Sequence, residues 1–148
     1  MSLSFETMTR EQRKSLALEY FKRFDRGGNV LDLFADDAVV YYPKWGEAHG
    51  KEEIARLFAD VAQLFSSIDH APEYLNYVID GDLVVVEGGS SGVAADGTPW
   101  QAGRTHAGRW ADVFEIRDHR IHRCYVYLDP DYAGADTSRY PWLEGRAV

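Results

Sequence analysis

A change in hydrophobic period near residue 70 limits the folds open to this chain more than any other feature. Before that point, apolar residues recur at intervals of three and four, as on one face of an α-helix. After it, apolar and polar residues alternate, as in strands that bury one face. This order predicts helices followed by an antiparallel sheet, which is an α+β fold.

The helical half contains two amphipathic segments. Thr9 and Gln12 have the spacing of a capping box, and the apolar face that follows them ends at Gly27. The second segment begins at Lys51 and carries a longer apolar stripe: Ile54, Leu57, Phe58, Val61, Leu64 and Phe65. We therefore predict two long helices, with a short helical turn between them at 30–34.

The strand predictions rest on β-branched and aromatic runs bounded by turn residues. Residues 100–116 are longer than a typical strand, and Gly103 and Gly108 are places where such a strand could bulge or bend. We interpret them as one long curved strand. The predicted strands are 38–42, 77–79, 83–86, 100–116 and 121–128.

Composition and charge exclude several classes of partner. With 24 acidic and 16 basic residues, the net charge of -8 would repel a phosphate backbone, so nucleic acid is not expected as a partner. No run of about 18 apolar residues exists to span a membrane. The single cysteine, Cys124, and the absence of a signal-peptide pattern favour a cytoplasmic location.

Strand alternation assigns the two faces of the sheet. Trp110, Phe114 and Ile116 share one face, which must be the core side, and this face also carries Asp112 and His106. The other face of the last strand carries Arg123, Tyr125, Tyr127 and Asp129, a set that suits a symmetric dimer through the sheet.

Three polar residues are candidates for chemistry. A carboxylate between two aromatic residues loses its hydration, so Asp112 needs a donor or a proton; it could equally be a structural acceptor that holds a bend. His70, which precedes the strands of the second half, could point down the pocket or cap a loop. Tyr42 ends the first strand, where its hydroxyl could reach a ligand.

The residues expected to line an internal apolar pocket are Tyr20, Phe24, Phe58, His106, Trp110, Phe114, Cys124 and Val126.

Two sequence motifs match patterns of functional sites but lack the structural context that those sites require. Gly88–Gly92 fits the pattern of a serine nucleophile, but no helix can follow it. His119 and His122 have a metal-like spacing but no obvious third ligand, so no metal and no cofactor are predicted.

Four segments resemble the nuclear transport factor two-like superfamily: 33–40 (LFADDAVV), 50–54 (GKEEI), 112–116 (DVFEI) and 120–121 (RI). This superfamily includes SnoaL-like polyketide cyclases, ketosteroid isomerases, scytalone dehydratases and limonene epoxide hydrolases. The resemblance implies one domain over 1–148, with a core over about 9–129 and a tail over 130–148. It also implies a cone-shaped, curved, mixed or antiparallel sheet around two long helices and one short helix, enclosing a pocket.

The resemblance also implies roles for single residues. Asp112 falls where ketosteroid isomerases place a protonated aspartic acid, and Tyr20 falls near their helix tyrosine, but Tyr42 replaces their carboxylate base. Tyr42 and His70 match a water-holding tyrosine and a histidine of scytalone dehydratases. Three residues replace other polar pocket residues of those dehydratases: Phe24, Ala94 and Trp110. Val126 replaces an acid or base aspartate of the cyclases and epoxide hydrolases.

These residues favour a cofactor-independent lyase or isomerase, of the dehydratase or cyclase kind, acting on a small apolar or aromatic carbonyl compound. In this scheme His70 moves the proton, while Tyr42 and Asp112 hold the carbonyl oxygen. One alternative is a binding module that releases its ligand unchanged. A third is a domain that serves mainly as an assembly platform. The aromatic tail, with Tyr132, Tyr140 and Trp142, is expected to pack over the pocket or a partner subunit.

Overall fold

The computed structural model describes residues 7–140, which form two α-helices and two sheets. The helices are α1 (Arg10–Arg26) and α2 (Gly50–Val61). The strands are β1 (Phe34–Tyr42), β2 (Gly46–His49), β3 (Phe65–Asp69), β4 (Asn76–Asp80), β5 (Leu83–Gly89), β6 (Ser91–Ala94), β7 (Pro99–Gln101), β8 (Arg109–Arg117) and β9 (Arg120–Leu128). Short 3-10 turns lie at Val30–Leu33, Ala62–Leu64, Pro72–Tyr74 and Thr137–Arg139.

Helix α1 begins with the capping box that its sequence predicts. The Gln12 backbone N–H donates to the Thr9 hydroxyl at 3.1 Å, and the Thr9 N–H donates to the Gln12 side chain at 2.8 Å. Helix α2 is shorter than predicted. Its stripe continues past Val61, but Leu64 lies in a 3-10 turn and Phe65 begins β3.

The larger sheet has six strands in the order β2-β1-β9-β8-β5-β4, in which β1 runs parallel to β9 and the other neighbours are antiparallel. Register shifts interrupt β1 between Phe34 and Val39 and β8 between Glu115 and Ile116, and such irregularities bend a sheet. Helix α1 lies against β4, β5 and β8, whereas α2 lies against β1 and β2. The predicted α+β class, with a curved sheet and two helices, is confirmed.

The hydrophobic core lies between the helices and the inner face of this sheet. Strand β8 alternates buried and half-buried residues along its length, as its sequence predicts. The largest fully buried side chains come from both layers: Phe21, Phe34, Phe114, Ile54, Ile116, Ile121, Val40, Val84 and Val86.

The prediction of a single strand over 100–116 is wrong. Strand β7 ends at Gln101, and β8 begins only at Arg109. Gly108 explains the break, because its φ is +112° and a Cβ there would lie 2.6 Å from the Ser90 carbonyl oxygen. Strand β7 instead joins β6 and β3 in a second, three-stranded sheet that the sequence analysis missed.

Strand β9 is followed by a segment, 129–140, that returns to the core. Tyr132 in this segment is buried, whereas Tyr140 is exposed. The predicted role of Trp142 lies outside the described residues. Over residues 7–140, no helix is long and apolar enough to cross a membrane.

Candidate active site

A small cavity of about 40 Å³ opens between α1, α2 and the inner face of the large sheet. Its deep walls are buried side chains, and its rim is made of half-buried apolar ones. The lining residues are Tyr20, Phe24, Tyr42, Phe58, Val61, Phe65, Ile68, His70, Trp110, Asp112, Val126, Leu128 and Tyr132. Since small-molecule sites usually enclose at least about 300 Å³, a ligand must displace rim side chains to enter fully.

Asp112 supplies the carboxyl group of this cavity. Strand alternation turns it inward beside Trp110 and Phe114, and the residue is only 3% exposed. Burial raises the pKa of this carboxyl well above its ordinary value, because the charged form would lose its hydration. Burial therefore favours the neutral acid, whose hydroxyl can donate a hydrogen bond.

Three phenols surround the same polar end. Burial raises the pKa of Tyr20, Tyr42 and Tyr132, so all three remain protonated. Asp112 lies close enough to each for a charge on its carboxyl to raise these values further. The Tyr20 hydroxyl also lies 3.7 Å from the Cys124 thiol. The polar end of the cavity is thus a cluster of neutral donors.

His70 forms a pair with Asp25, a residue at the end of α1. The His70 Nδ1 lies 2.5 Å from Asp25 Oδ1, and the His70 backbone N–H donates to Asp25 Oδ2 at 2.7 Å. Only 6% of the Asp25 side chain and 16% of the His70 side chain are exposed. A carboxylate can only accept, so the Nδ1 proton is directed at Asp25, and Nε2 is the ring nitrogen left to exchange a proton.

The chain around His70 is shaped by a short strained loop. Ala71 has a φ of +49° and a ψ of +61°, a left-handed conformation that costs a non-glycine residue about 1 kcal/mol or more. The Asp69 carboxylate accepts the Ala71 N–H at 2.8 Å and supports this turn. The His70 ring then packs against Phe21 and Trp110, at centroid distances of 5.5 and 5.6 Å. These contacts hold the ring at the cavity wall.

The structure brings the three predicted catalytic residues, Asp112, His70 and Tyr42, around one cavity. Five of the predicted lining residues also lie there: Tyr20, Phe24, Phe58, Trp110 and Val126. The chemical roles of all these residues stay predictions.

Three predicted lining residues lie elsewhere. Phe114 and Cys124 are fully buried but are not among the cavity-lining residues. His106 also does not line the cavity, because the break at Gly108 places it in a loop, where its Nε2 donates to the Asp131 carbonyl oxygen at 2.5 Å.

Asp25 was not among the residues predicted for this site, and the prediction for Tyr132 left open whether it packs over the pocket or over a partner subunit. Asp25 follows Phe21 by four residues, so it lies on the apolar stripe of α1. A carboxylate on such a stripe is the same signal that singled out Asp112. Within the described part of the chain, no group of three or more His, Cys, Asp or Glu side chains is arranged to hold a metal ion.

Asp112→Asn is expected to stabilise the protein increasingly as the pH rises above about 4 toward neutrality. The unfolded chain releases the Asp112 proton near pH 4, whereas the native state keeps it to a higher pH. In that interval unfolding releases a proton, so native stability falls by up to about 1.4 kcal/mol per pH unit. Asparagine has no proton to release. Urea unfolding of both proteins across this pH range measures the difference, and parallel curves would show that native Asp112 is ionised.

Comparison with known proteins gives one family and a consistent fold. A family model for the SnoaL-like domain matches residues 17–124. An NTF2-like protein of Anabaena variabilis has a TM-score of 0.68 and 22% identity, over 87% of this chain and 98% of that one. A candidate polyketide cyclase of Xanthomonas campestris has a TM-score of 0.69 and 18% identity, over 81% and 92%. A candidate SnoaL-like polyketide cyclase of Jannaschia has a TM-score of 0.66 and 15% identity, over 87% and 91%.

At these identities, the structural likeness shows the fold alone. A search of curated proteins found no significant match.

Proposed function

Because the chain belongs to the family of SnoaL-like domains, we propose that it is a cofactor-independent lyase or isomerase, of the dehydratase or cyclase kind. Its substrate would be a small apolar or aromatic carbonyl compound. The family match and the NTF2-like neighbours confirm the resemblance to the nuclear transport factor two-like superfamily. The observation that carries the proposal is that His70, which is paired with Asp25, and the buried Asp112 line one apolar cavity.

His70 acts as the general base. Its Nε2 takes a proton from the carbon next to the substrate carbonyl, and the electron pair of that C–H bond forms a C=C bond as the carbonyl oxygen becomes an enolate. The Asp25 carboxylate accepts the Nδ1–H at 2.5 Å and stabilises the imidazolium that results. This division of roles needs no cofactor.

Asp112 and Tyr42 stabilise the enolate oxygen. Burial raises the pKa of each group and so favours the protonated, donating form of both. Donors fixed in a dry site stabilise developing charge without reorganising, and each is typically worth a factor of about 10²–10³ in rate. In an isomerase acting on a β,γ-unsaturated carbonyl compound, the His70 imidazolium returns the proton to the γ carbon of the dienolate, the C=C bond moves to the α,β position and the C=O bond re-forms. In a dehydratase it protonates a β-hydroxyl group, and the enolate electrons re-form the C=O bond and make an α,β C=C bond as the C–O bond breaks and water leaves.

The cavity restricts the substrate class. Apolar and aromatic side chains supply most of its lining, and none of the described lining residues is a lysine or an arginine. An anionic substrate would therefore find no counter-charge there, so an uncharged carbonyl compound is favoured. With about 40 Å³ available, the carbonyl end enters first and the half-buried rim moves to admit the rest.

Proton exchange into a simple ketone tests this function. 2-Tetralone, an aromatic ketone with acidic α-protons, is incubated with the protein in D₂O, and its α-proton signals are followed by NMR. The proposal expects loss of these signals faster than with heat-inactivated protein. In parallel, native mass spectrometry of freshly purified protein identifies any retained metabolite, which is then assayed in the same way. Release of every bound compound unchanged would instead support the binding module.

We also propose that the protein forms a homodimer through the outer face of the large sheet. A row of apolar residues crosses five neighbouring strands in direct register: Val78, Val85, Val113, Tyr125 and Tyr41. Val78 is 66% exposed, and Tyr127 beside the row is 50% exposed. A second copy would cover this surface by symmetry.

A cytoplasmic location is proposed as well, since the thiol of Cys124 is free.

Val113→Lys is expected to convert the dimer into a monomer, because it places a charge at the centre of the row. Light scattering coupled to size-exclusion chromatography at micromolar concentration measures the mass. Ala62→Lys, at an exposed position in the turn after α2, is the control and should remain dimeric. A wild-type protein that is monomeric under these conditions contradicts the proposal.

A further inference from the structure

Tyr132 lines the cavity although it lies outside the helices and strands. Its side chain is only 4% exposed and belongs to the cavity lining. The ring packs on Trp100 of β7, with centroids 4.3 Å apart and planes 40° apart, and meets the Phe65 ring edge-on at 5.9 Å. Tyr132 is thus held by the second sheet while it faces the cavity that the first sheet forms.

The segment 129–140, which we call the strap, is fixed by its own polar contacts. The Asp131 carboxylate accepts the backbone N–H groups of Ala135 at 3.0 Å and Asp136 at 3.2 Å. His106 donates to the Asp131 carbonyl oxygen. The Gly134 backbone packs against the His106 ring: a Cβ added at Gly134 would lie 3.1 Å from His106 Cε1. The strap therefore holds Tyr132 in a defined position.

The Tyr132 hydroxyl belongs to the polar end of the cavity. Burial raises the pKa of Tyr132, while its interaction with the Tyr42 hydroxyl lowers it and the nearby Asp112 raises it. A protonated phenol beside Tyr42 and Asp112 offers one more hydrogen-bond donor to a ligand oxygen.

We infer that Tyr132 is a ligand-contacting residue that sets the specificity of this pocket. Its hydroxyl donates to the oxygen of an uncharged aromatic ligand, and its ring limits the length of the ligand that fits. This inference rests on the proposed use of the pocket for such ligands, but it does not require that a reaction takes place. In this inference, His106 is a positioning residue, because its hydrogen bond to the Asp131 carbonyl oxygen holds the strap.

The test uses the binding of two probes to the full chain, measured by isothermal titration calorimetry. 2-Naphthol has the aromatic ring system and the oxygen of an enol, whereas naphthalene lacks the oxygen. Tyr132→Phe removes only the hydroxyl and is expected to weaken 2-naphthol binding roughly 3- to 10-fold, the value of one net hydrogen bond, with naphthalene binding unchanged. Tyr140→Phe, on the same strap but at an exposed residue, is the matched control and should bind both probes like wild type.

Tyr132→Ala tests the role of the ring. It is expected to bind a longer phenol, 6-phenyl-2-naphthol, at least as tightly as 2-naphthol, whereas the wild type prefers 2-naphthol. Equal 2-naphthol affinity in wild type and Tyr132→Phe, or no saturable 2-naphthol binding by wild type, overturns the inference. If the proposed function alone is wrong, these binding differences persist and 2-tetralone shows no α-proton exchange.

Discussion

His70→Ala is expected to slow turnover by roughly 10²–10⁴-fold, measured as α-proton exchange into 2-tetralone or into a retained metabolite. The substitution removes Nε2, the nitrogen to which the proposed mechanism assigns the transferred proton. The effect should fall mainly on kcat, because the apolar walls that bind the substrate remain. Circular dichroism of the same sample establishes that the variant is folded.

Asp25 and a second histidine provide the controls for this prediction. The side chain of His49 is 62% exposed and lies outside the cavity, so His49→Ala should leave turnover unchanged. Asp25 is a positioning residue, and Asp25→Asn should reduce turnover in the wild type but add little to the loss in His70→Ala. If Asp25→Asn reduces turnover by the same factor in the His70→Ala background as in the wild-type background, the two residues do not act as a pair.

Asp112→Leu is expected to reduce turnover about 100-fold or more, because leucine fills the space of the carboxyl group without offering a donor. Asp112→Asn keeps an N–H donor at the same place and should retain more activity than the leucine variant. Comparison of the two substitutions separates the hydrogen bond from the packing of the site. Wild-type turnover in Asp112→Leu would remove Asp112 from the mechanism.

The pH profile gives a second readout for Asp112. Burial raises its pKa, so the donor is present below that raised value and is lost as the pH climbs through it. Wild-type turnover should therefore fall on the alkaline side, and the Asp112→Asn variant should lack this decline. An identical alkaline decline in both proteins assigns it to another group.

The parts of the fold that could be predicted are those with a local physical cause. The capping box at Thr9 needs only residues three positions apart, and it begins α1 as expected. The alternation along β8 needs only a period of two, and it correctly placed Asp112 among buried aromatic residues. Both signals are contained within a few consecutive residues.

The parts that could not be predicted depend on partners distant in the chain. Strand β3 (FSSID) has little apolar alternation of its own, and it is a strand because it pairs with β6. The break before β8 could be suspected from Gly108, but its position depends on how closely the Ser90 carbonyl oxygen approaches. That approach is set by the second sheet, whose strand β3 pairs with a segment distant in the chain.

Local residue patterns specify which face of each helix and strand is apolar, and therefore which polar side chains are buried. Which of these side chains meet depends on tertiary packing. Asp25 and His70 are 45 residues apart in the chain, and Tyr132 reaches the same cavity from beyond the last strand. Side-chain periodicity is a property of neighbouring residues, whereas a cavity forms from the packing of elements that are distant in sequence, so local patterns identified candidates and the assembled fold selected the site.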